Sequence, residues 1–454
     1  MYAMILNQLN YTVDGRNILT QVTQQIKISE RIGIIGANGS GKTTLAHLII
    51  GDLIQDNGTI SVNGRVAYVP QLSIDISNQS GGEKMMQRIN ESLNNQPDIL
   101  ILDEPTANLD MTHQKWLIKR LSHFYGTLII ISHDSHLVNQ VVTKIWSIQG
   151  TRVAAYSGNY DDYMMQINMA NDTQAQLYRV AVNKKNQLGR AIEKVQTREK
   201  QVTKRPKNIS PSDARLISGK GKALKSQKKL GQNVKSMVRR FSELEKVDKP
   251  FATKPLKLQA VVDQAKKSRA ILKVIAETVQ IGDRVLLKDV NFKLDSGQRL
   301  AILGDNGSGK TSLIKHVLSN YQKPVGYFTQ DLSGLNENST VLENVLLKSS
   351  QTSQLARDFL GAFGIKRDKV FQKVRTLSGG EKVKVLLLQV LFTDTQLLIL
   401  DEPTNYLDLP ALDALNNFLT HYTGAVLMVS HYQDFVDAVA TQKMIIKAQQ
   451  LLPI

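Results

Sequence analysis

Two eight-residue segments of this chain, GANGSGKT from Gly36 to Thr43 and GDNGSGKT from Gly304 to Thr311, repeat one pattern 268 residues apart. Both match G-x-x-x-x-G-K-[ST], a backbone cradle for phosphate oxygens. The glycines (Gly36, Gly39 and Gly41; Gly304, Gly307 and Gly309) let successive N–H groups turn inward, and a following helix points its positive end at the anion. Asn38 and Thr44 belong to the first loop, Asn306 and Ser312 to the second. Lys42 and Lys310 would reach the β- and γ-phosphates of ATP, and the hydroxyls of Thr43 and Thr311 would ligand Mg²⁺. One such match could be a chance glycine turn. Two in the same strand–helix setting make chance a poor account.

Downstream of each loop the same features return in the same order. ILILDEP (Ile99 to Pro105) and LLILDEP (Leu397 to Pro403) are apolar runs ending in two carboxylates. Such a run suits a parallel strand covered on both faces, and its carboxyl end is where α/β sheets bind ligands. Asp103 and Asp401 would hold the Mg²⁺ shell; Glu104 and Glu402 would polarise an attacking water. SGGE opens a helical stretch twice, at Ser80, Gly81 and Gly82 and at Ser378, Gly379 and Gly380. A serine and two glycines at a helix N-terminus form a second anion site, able to close over a γ-phosphate. IISHD and MVSHY then each end a strand in Ser-His, so His133 and His431 could contact that phosphate. Either histidine alone would be an ordinary strand-end residue.

The elements that must position these groups are parallel strands and their crossover helices. RIGIIG and RLAILG lead into the loops; TTLAHLII and TSLIKHVL lead out. A length of 454 residues suffices for two or three domains. No apolar run is long enough to span a bilayer and no N-terminal h-region is present, so neither a transmembrane helix nor a secretory signal is expected. The absence of cysteine excludes disulfides and zinc–thiolate sites and fits a cytoplasmic location.

The net charge of +17 implies a polyanionic partner. Residues 181–250 hold 20 Lys or Arg against 6 Asp or Glu, a net of +14. Gln166 to about Lys204 and Lys222 to about Lys246 contain few helix breakers, whereas Arg205 to Gly221 is broken by Pro206, Pro211, Gly219 and Gly221. Two antiparallel helices joined by a loop at the tip are expected, with apolar positions at three- and four-residue spacing forming one narrow seam. The plain alternative is a solvated, lysine-rich linker. A basic hairpin suits nucleic acid recognised through phosphates and shape.

Together these motifs resemble the ATP-binding cassette superfamily, over roughly residues 1–160 and 266–454. The resemblance extends to Asn108-Leu109-Asp110 and Tyr406-Leu407-Asp408 after the acid pairs. It implies that Gln71 and Gln330 sense Mg²⁺ and the γ-phosphate, and that Tyr11 stacks on adenine where the second half has Val279. It also implies head-to-tail cassettes within a monomer sandwiching two ATP molecules, Lys42, Glu104 and His133 facing Ser378 to Gly380, and Lys310, Glu402 and His431 facing Ser80 to Gly82.

With a basic hairpin between two cassettes, the chain resembles the ABC-F proteins, soluble ATPases that bind the ribosome at the tRNA exit site, contacting rRNA and P-site tRNA. The expected fold is α/β: a first cassette over 1–162, a hairpin linker over 163–265 with its tip near 205–221, and a second cassette over 266–454. Between Gln71 and Ser80 lie eight residues against 47 between Gln330 and Ser378, leaving the first half no room for the helical subdomain that grips membrane partners. That short cassette and RPKNIS at Arg205 resemble the Vga-type resistance group. The implied function is protection from lincosamides, pleuromutilins and group A streptogramins, with Arg205, Lys207, Arg215, Leu216, Ile217 and Lys220 contacting the ribosome. A housekeeping translation factor of the same family is the alternative. A transporter subunit or a DNA-repair ATPase fits less well, with no membrane or transmembrane partner expected. Two departures stand out: Gln79 where leucine is usual, and Tyr432 where aspartate is usual.

Overall fold

The computed structural model describes residues 1–71, 81–107, 109–202, 236, 239, 270–329, 331–365, 367–405 and 407–454. They divide into two compact units, one of Met1–Tyr163 with Pro255–Ile454, the other Met164–Lys254.

In the first unit, the first half contributes β1 (Tyr2–Val13), β2 (Arg16–Lys27), β3 (Arg31–Gly36), β4 (Asn57–Val62), β5 (Val66–Val69), β6 (Ile99–Asp103), β7 (Thr127–Ile131), β8 (Lys144–Gln149) and β9 (Arg152–Ser157). Its central sheet runs β5-β6-β7-β3-β8-β9, parallel except for the β8–β9 hairpin. β6 and β7 are buried at every residue, which their unbroken apolar runs require once helices cover both faces. The second half repeats this with β10 (Ala270–Ile281), β11 (Arg284–Asp295), β12 (Arg299–Leu303), β13 (Gly326–Phe328), β14 (Leu397–Asp401), β15 (Ala425–Val429), β16 (Gln442–Lys447) and β17 (Gln450–Pro453). Its order, β13-β14-β15-β12-β16-β17, is the same one.

That order places the chemistry. β3 lies beside β7, and β7 beside β6, with Ile34 and Asp103 both opposite Ile131. The loops after β3, β6 and β7, carrying Lys42, Glu104 and His133, therefore leave the sheet at one edge. β12, β14 and β15 do the same for Lys310, Glu402 and His431.

The halves differ in what covers the helix after each SGG. In the second half residues 331–377 build helices at Val341–Leu346 and Ser353–Ala362 and short 3-10 turns. Phe359 packs edge-on against Phe392 and Phe418, ring centroids 5.4 and 5.7 Å apart. The helix Gly379–Leu391 is consequently buried at every residue from Val383 to Leu391. In the first half Met85 and Ile89 are buried on Gly81–Asn94 while Gln87, Arg88 and Glu91 are exposed.

One helix, Tyr160–Val202, 43 residues long, covers the stretch expected to form the first arm. The expected tip at 205–221 and second arm at 222–246 lie outside the described residues, apart from Ser236 and Arg239. Among the described residues, no helix is long and apolar enough to cross a membrane.

Candidate active site

Each phosphate loop hands over to its helix through a left-handed glycine, Gly41 at φ 96° and Gly309 at φ 104°, a conformation a Cβ would strain. Lys42 Nζ donates to Gly36 O at 2.8 Å and Ala37 O at 3.2 Å; Lys310 Nζ donates to Gly304 O at 2.8 Å and Asp305 O at 2.9 Å. Burial pushes both amines below the ordinary lysine range, and Glu104 and Glu402 pull back against it. The Ser40 and Ser308 hydroxyls, at matching places in the two loops, are buried without a hydrogen-bond partner among the described residues. Buried polar atoms normally have one, so both loops are shaped for a polar ligand.

Behind each loop a hydroxyl meets a carboxylate. Thr43 Oγ1 donates to Asp103 Oδ2 at 2.7 Å and Thr311 Oγ1 to Asp401 Oδ2 at 3.0 Å. The next residues, Glu104 and Glu402, take φ values of 47° and 51°. Such strain costs ~1–3 kcal/mol at a non-glycine residue and survives where surrounding structure dictates it. Here the Glu104 N–H donates to Ile131 O at 2.8 Å and the Glu402 N–H to Val429 O at 2.9 Å.

Both carboxyls then receive the backbone of the strand-end histidine. His133 N–H donates to Glu104 Oε2 at 3.4 Å and His431 N–H to Glu402 Oε2 at 3.3 Å. Burial raises both glutamates, Glu402 to about 8, against those N–H bonds and the nearby lysines. The histidines move oppositely: burial, then Lys42, lowers His133 to about 3, and burial, then Lys310, lowers His431 to about 4. Both imidazoles are neutral at pH 7. His133 Nε2 is 3.6 Å from Glu104 Oε1, beyond hydrogen-bond reach, and neither of its ring nitrogens has a partner among the described residues.

The two halves face each other over one cavity of about 1070 Å³. Its walls include both phosphate loops, Gln71, both Asp–Glu pairs, both histidines and Gly380. Across it, Asp408 Oδ2 accepts the Asn38 N–H at 3.1 Å, and Asp110 Oδ2 accepts the Asn306 N–H at 3.0 Å. Each loop is thus held by an acid of the opposite half. Ser378 caps its helix in a reciprocal box with Glu381, and the Ser378 hydroxyl lies 3.1 Å from Glu381 Oε2. Tyr11 and Val279 occupy equivalent rungs, opposite Leu19 and Leu287. Tyr11 packs half-buried on the first core; Ile18, rather than Tyr11, lines the cavity there, as Arg284 and Leu286 do in the second half. Ser80 and Gln330 lie outside the described residues.

Several groups at this interface escaped the sequence reading. Lys384, Arg284 and Ser135 carry no local signal, and Tyr432, marked as a departure, gives no sign of its partner Ser135. Asp110 and Asp408 are marked by the repeated x-Leu-Asp, each five residues after the proline of Asp-Glu-Pro, but their grip on the opposite loop is not.

Duplicated phosphate loops, acid pairs and strand-end histidines facing one cavity define a tandem ATP-binding cassette ATPase. The family model described as ABC transporter matches residues 19–73, 287–326 and 318–405. The chain is 29% identical over 477 residues to the ribosome protection protein VmlR of Bacillus subtilis (strain 168), covering 97% of this chain and 86% of that protein. It is 29% identical over 486 residues to the erythromycin resistance ATP-binding protein MsrA of Staphylococcus epidermidis, covering 99% of each. ABC transporter F family member 5 of Arabidopsis thaliana is 26% identical over 96% of this chain and 74% of its own length. A solved structure of an RNase-L inhibitor shares the fold at a TM-score of 0.63 and 17% identity, covering 99% of this chain and 90% of that one. Along nearly its whole length the chain is similar to proteins of the ABC-F family.

Proposed function

We propose that this ATPase binds the ribosome and protects it from antibiotics acting at the peptidyl-transferase centre, the lincosamide, pleuromutilin and streptogramin A classes. The observation that carries it is the +14 segment at residues 181–250, set between two cassettes that face one another over a shared cavity. The near full-length relatives named for ribosome protection and erythromycin resistance support it.

In this reading the domains are 1–162, 163–265 and 266–454. Lys42 and Lys310 bind the β- and γ-phosphates, and the neutral His133 and His431 hold the γ-phosphate. Glu104 and Glu402 accept a proton from the attacking water, which their raised pKa values suit near neutral pH. Gly380 with Ser378 closes over the first nucleotide and Gly82 with Ser80 over the second; Tyr11 meets the first adenine. Thr43 with Asp103, and Thr311 with Asp401, would hold Mg²⁺, with Gln71 and Gln330 beside them. One hydroxyl and one carboxylate suit an ion that keeps water and phosphate oxygens as its other ligands. When bound, Mg²⁺ neutralises charge on the phosphate oxygens. ATP draws the cassettes together and hydrolysis releases them. Residues of the tip, among them Arg205, Lys207, Arg215, Leu216, Ile217 and Lys220, contact rRNA and P-site tRNA from the tRNA exit site of cytoplasmic ribosomes.

The test is twofold. The Glu104→Gln, Glu402→Gln protein should co-sediment with ribosomes in ATP, with binding that weakens along a salt series as counterion release demands. A drug-sensitive host expressing the chain should survive higher concentrations of those drugs. Binding without protection would favour a housekeeping translation factor; pelleting with membranes or DNA alone would overturn the reading.

A further inference from the structure

One buried cation distinguishes the two nucleotide sites. Lys384 stands six residues after Ser378, on the helix Gly379–Leu391, and is 4% exposed. Its Nζ donates to Phe363 O at 3.1 Å and to Asp408 Oδ1 at 3.3 Å. The other oxygen of Asp408 accepts the Asn38 N–H at 3.1 Å, four residues before Lys42 in the opposite half. A line of polar contacts therefore runs from the helix behind Ser378, through Asp408, into the first phosphate loop.

Among the described residues, this arrangement is not repeated at the second site. Six residues after Ser80 the sequence has Met86. Asp110 still accepts the Asn306 N–H, but its Oδ1 accepts the His113 N–H at 3.0 Å and lies 2.7 Å from His113 Nδ1. That acid is anchored by its own helix. Phe363, which holds Lys384, belongs to the 47-residue stretch that is eight residues long in the first half.

Electrostatics agree with the geometry. Burial would raise the Asp408 carboxyl, but Lys384 first and then the Asn38 N–H bring it below the usual range. Lys384 also presses down on Lys42 and His133, after burial and the nearer groups. Lys310 and His431 instead feel Asp110 and Asp305.

Resting on the assignment of Lys42 and Glu104 to one ATP site, we propose that Lys384 is a positioning residue for hydrolysis at that site alone. It fixes the Asp408 carboxylate so that the first phosphate loop is gripped across the interface. Without the amine, Asp408 is left as a buried charge lacking its counter-ion, and a carboxylate in that state protonates or turns away. The Asn38 N–H then loses its acceptor and the loop its anchor on the opposite half.

Single-turnover ATP hydrolysis by the full chain tests this in two backgrounds, Glu402→Gln leaving the Lys42 site active and Glu104→Gln leaving the Lys310 site. Lys384→Met should slow the first about tenfold or more, as small misplacements at a reacting centre do, while the second changes about twofold or less. ATP half-saturation should stay within about threefold, and Lys384→Arg should restore most of the rate, since the groups that bind ATP are untouched. Equal slowing in both backgrounds, the mark of a packing role, or no slowing in the first, would overturn the proposal. If Lys384→Met does not fold, Asp408→Asn keeps the side-chain shape and should give the same one-sided loss; a two-sided loss again overturns it. Should Glu104→Gln and Glu402→Gln each leave hydrolysis at the parental rate, the site assignment itself fails, a result independent of Lys384.

Discussion

The helix that follows Ser378 and the one that follows residue 80 share their opening residues and little else. Gly379–Leu391 lies inside a core, with Val385, Leu387, Leu388 and Leu391 fully buried under the inserted layer. Gly81–Asn94 buries one stripe and exposes the rest. Yet Asp103 and Asp401, Glu104 and Glu402, and His133 and His431 keep nearly the same distances in the two halves. The site geometry is therefore set by strand order in the sheet. The cover decides how firmly each helix is held and, through Phe363 and Lys384, what stands behind Asp408.

The largest effect should come from attacking that cover. Phe359→Ala removes a fully buried ring from the Phe392–Phe418 cluster and should cost about 3–5 kcal/mol, read by urea denaturation. Gln87→Ala, on the exposed face of the first helix, should stay within about 0.5 kcal/mol. Comparable losses would mean that the first helix too is buried by a partner.

Next comes the chemistry that the halves share. Replacing both Glu104 and Glu402 by Gln should cut ATP turnover about 10²-fold or more while ATP binding persists, measured by phosphate release and nucleotide retention. Undiminished turnover would break the equivalence of the two acid pairs.

The pH dependence sharpens it further. Burial raises Glu402 to about 8, so below that value most of the carboxyl is protonated and cannot take a proton from water. Single-turnover hydrolysis in the Glu104→Gln background should rise about tenfold per unit between pH 6 and 7 and level off above pH 8. Stability moves the other way for this group: the folded chain keeps a proton that the unfolded chain sheds near 4.5, so its contribution falls as pH rises from there to about 8. His133 and His431, lowered to about 3 and about 4, are protonated first when unfolded, so their contribution is lost as pH falls below about 6.5.

The smallest effect belongs to the seam between halves. Ser135→Ala should weaken the closed form by about 0.5–1.5 kcal/mol, seen as a higher ATP concentration for closure by an interdomain fluorescence pair. Tyr432→Phe should match it if the Ser135–Tyr432 bond carries the effect.

Much of the fold was legible because its signals are local. Glycine spacing marks the loops; unbroken apolar runs mark β6, β7, β14 and β15; the stretch from Gln166, with few helix breakers, marks the long helix. What stayed hidden is pairing over distance. Asn38 and Asp408 are 370 residues apart, and nothing near either announces the other. Glu381 was legible as part of a motif, but its role as a reciprocal cap shows only in three dimensions. Lys384 is invisible for a different reason: a lysine reads as surface, and its burial needs both Asp408 and the Phe363 carbonyl.

The contacts of Ser135, with the Tyr432 hydroxyl at 3.0 Å and with the Asp434 carboxylate, lie where the two halves meet. In a true homodimer a residue on the two-fold axis faces its own copy, and an acid there confronts an identical acid. Ser135 corresponds to Gln433 in the repeat, so two first halves paired together would set Ser135 against Asp134 and His136, and two second halves would set Gln433 against Tyr432 and Asp434. Duplication within one chain lifts that requirement and lets a donor on one half answer an acceptor on the other. The two sides of the seam need not be alike, and here they are not: Ser135 stands on one, Tyr432 and Asp434 on the other.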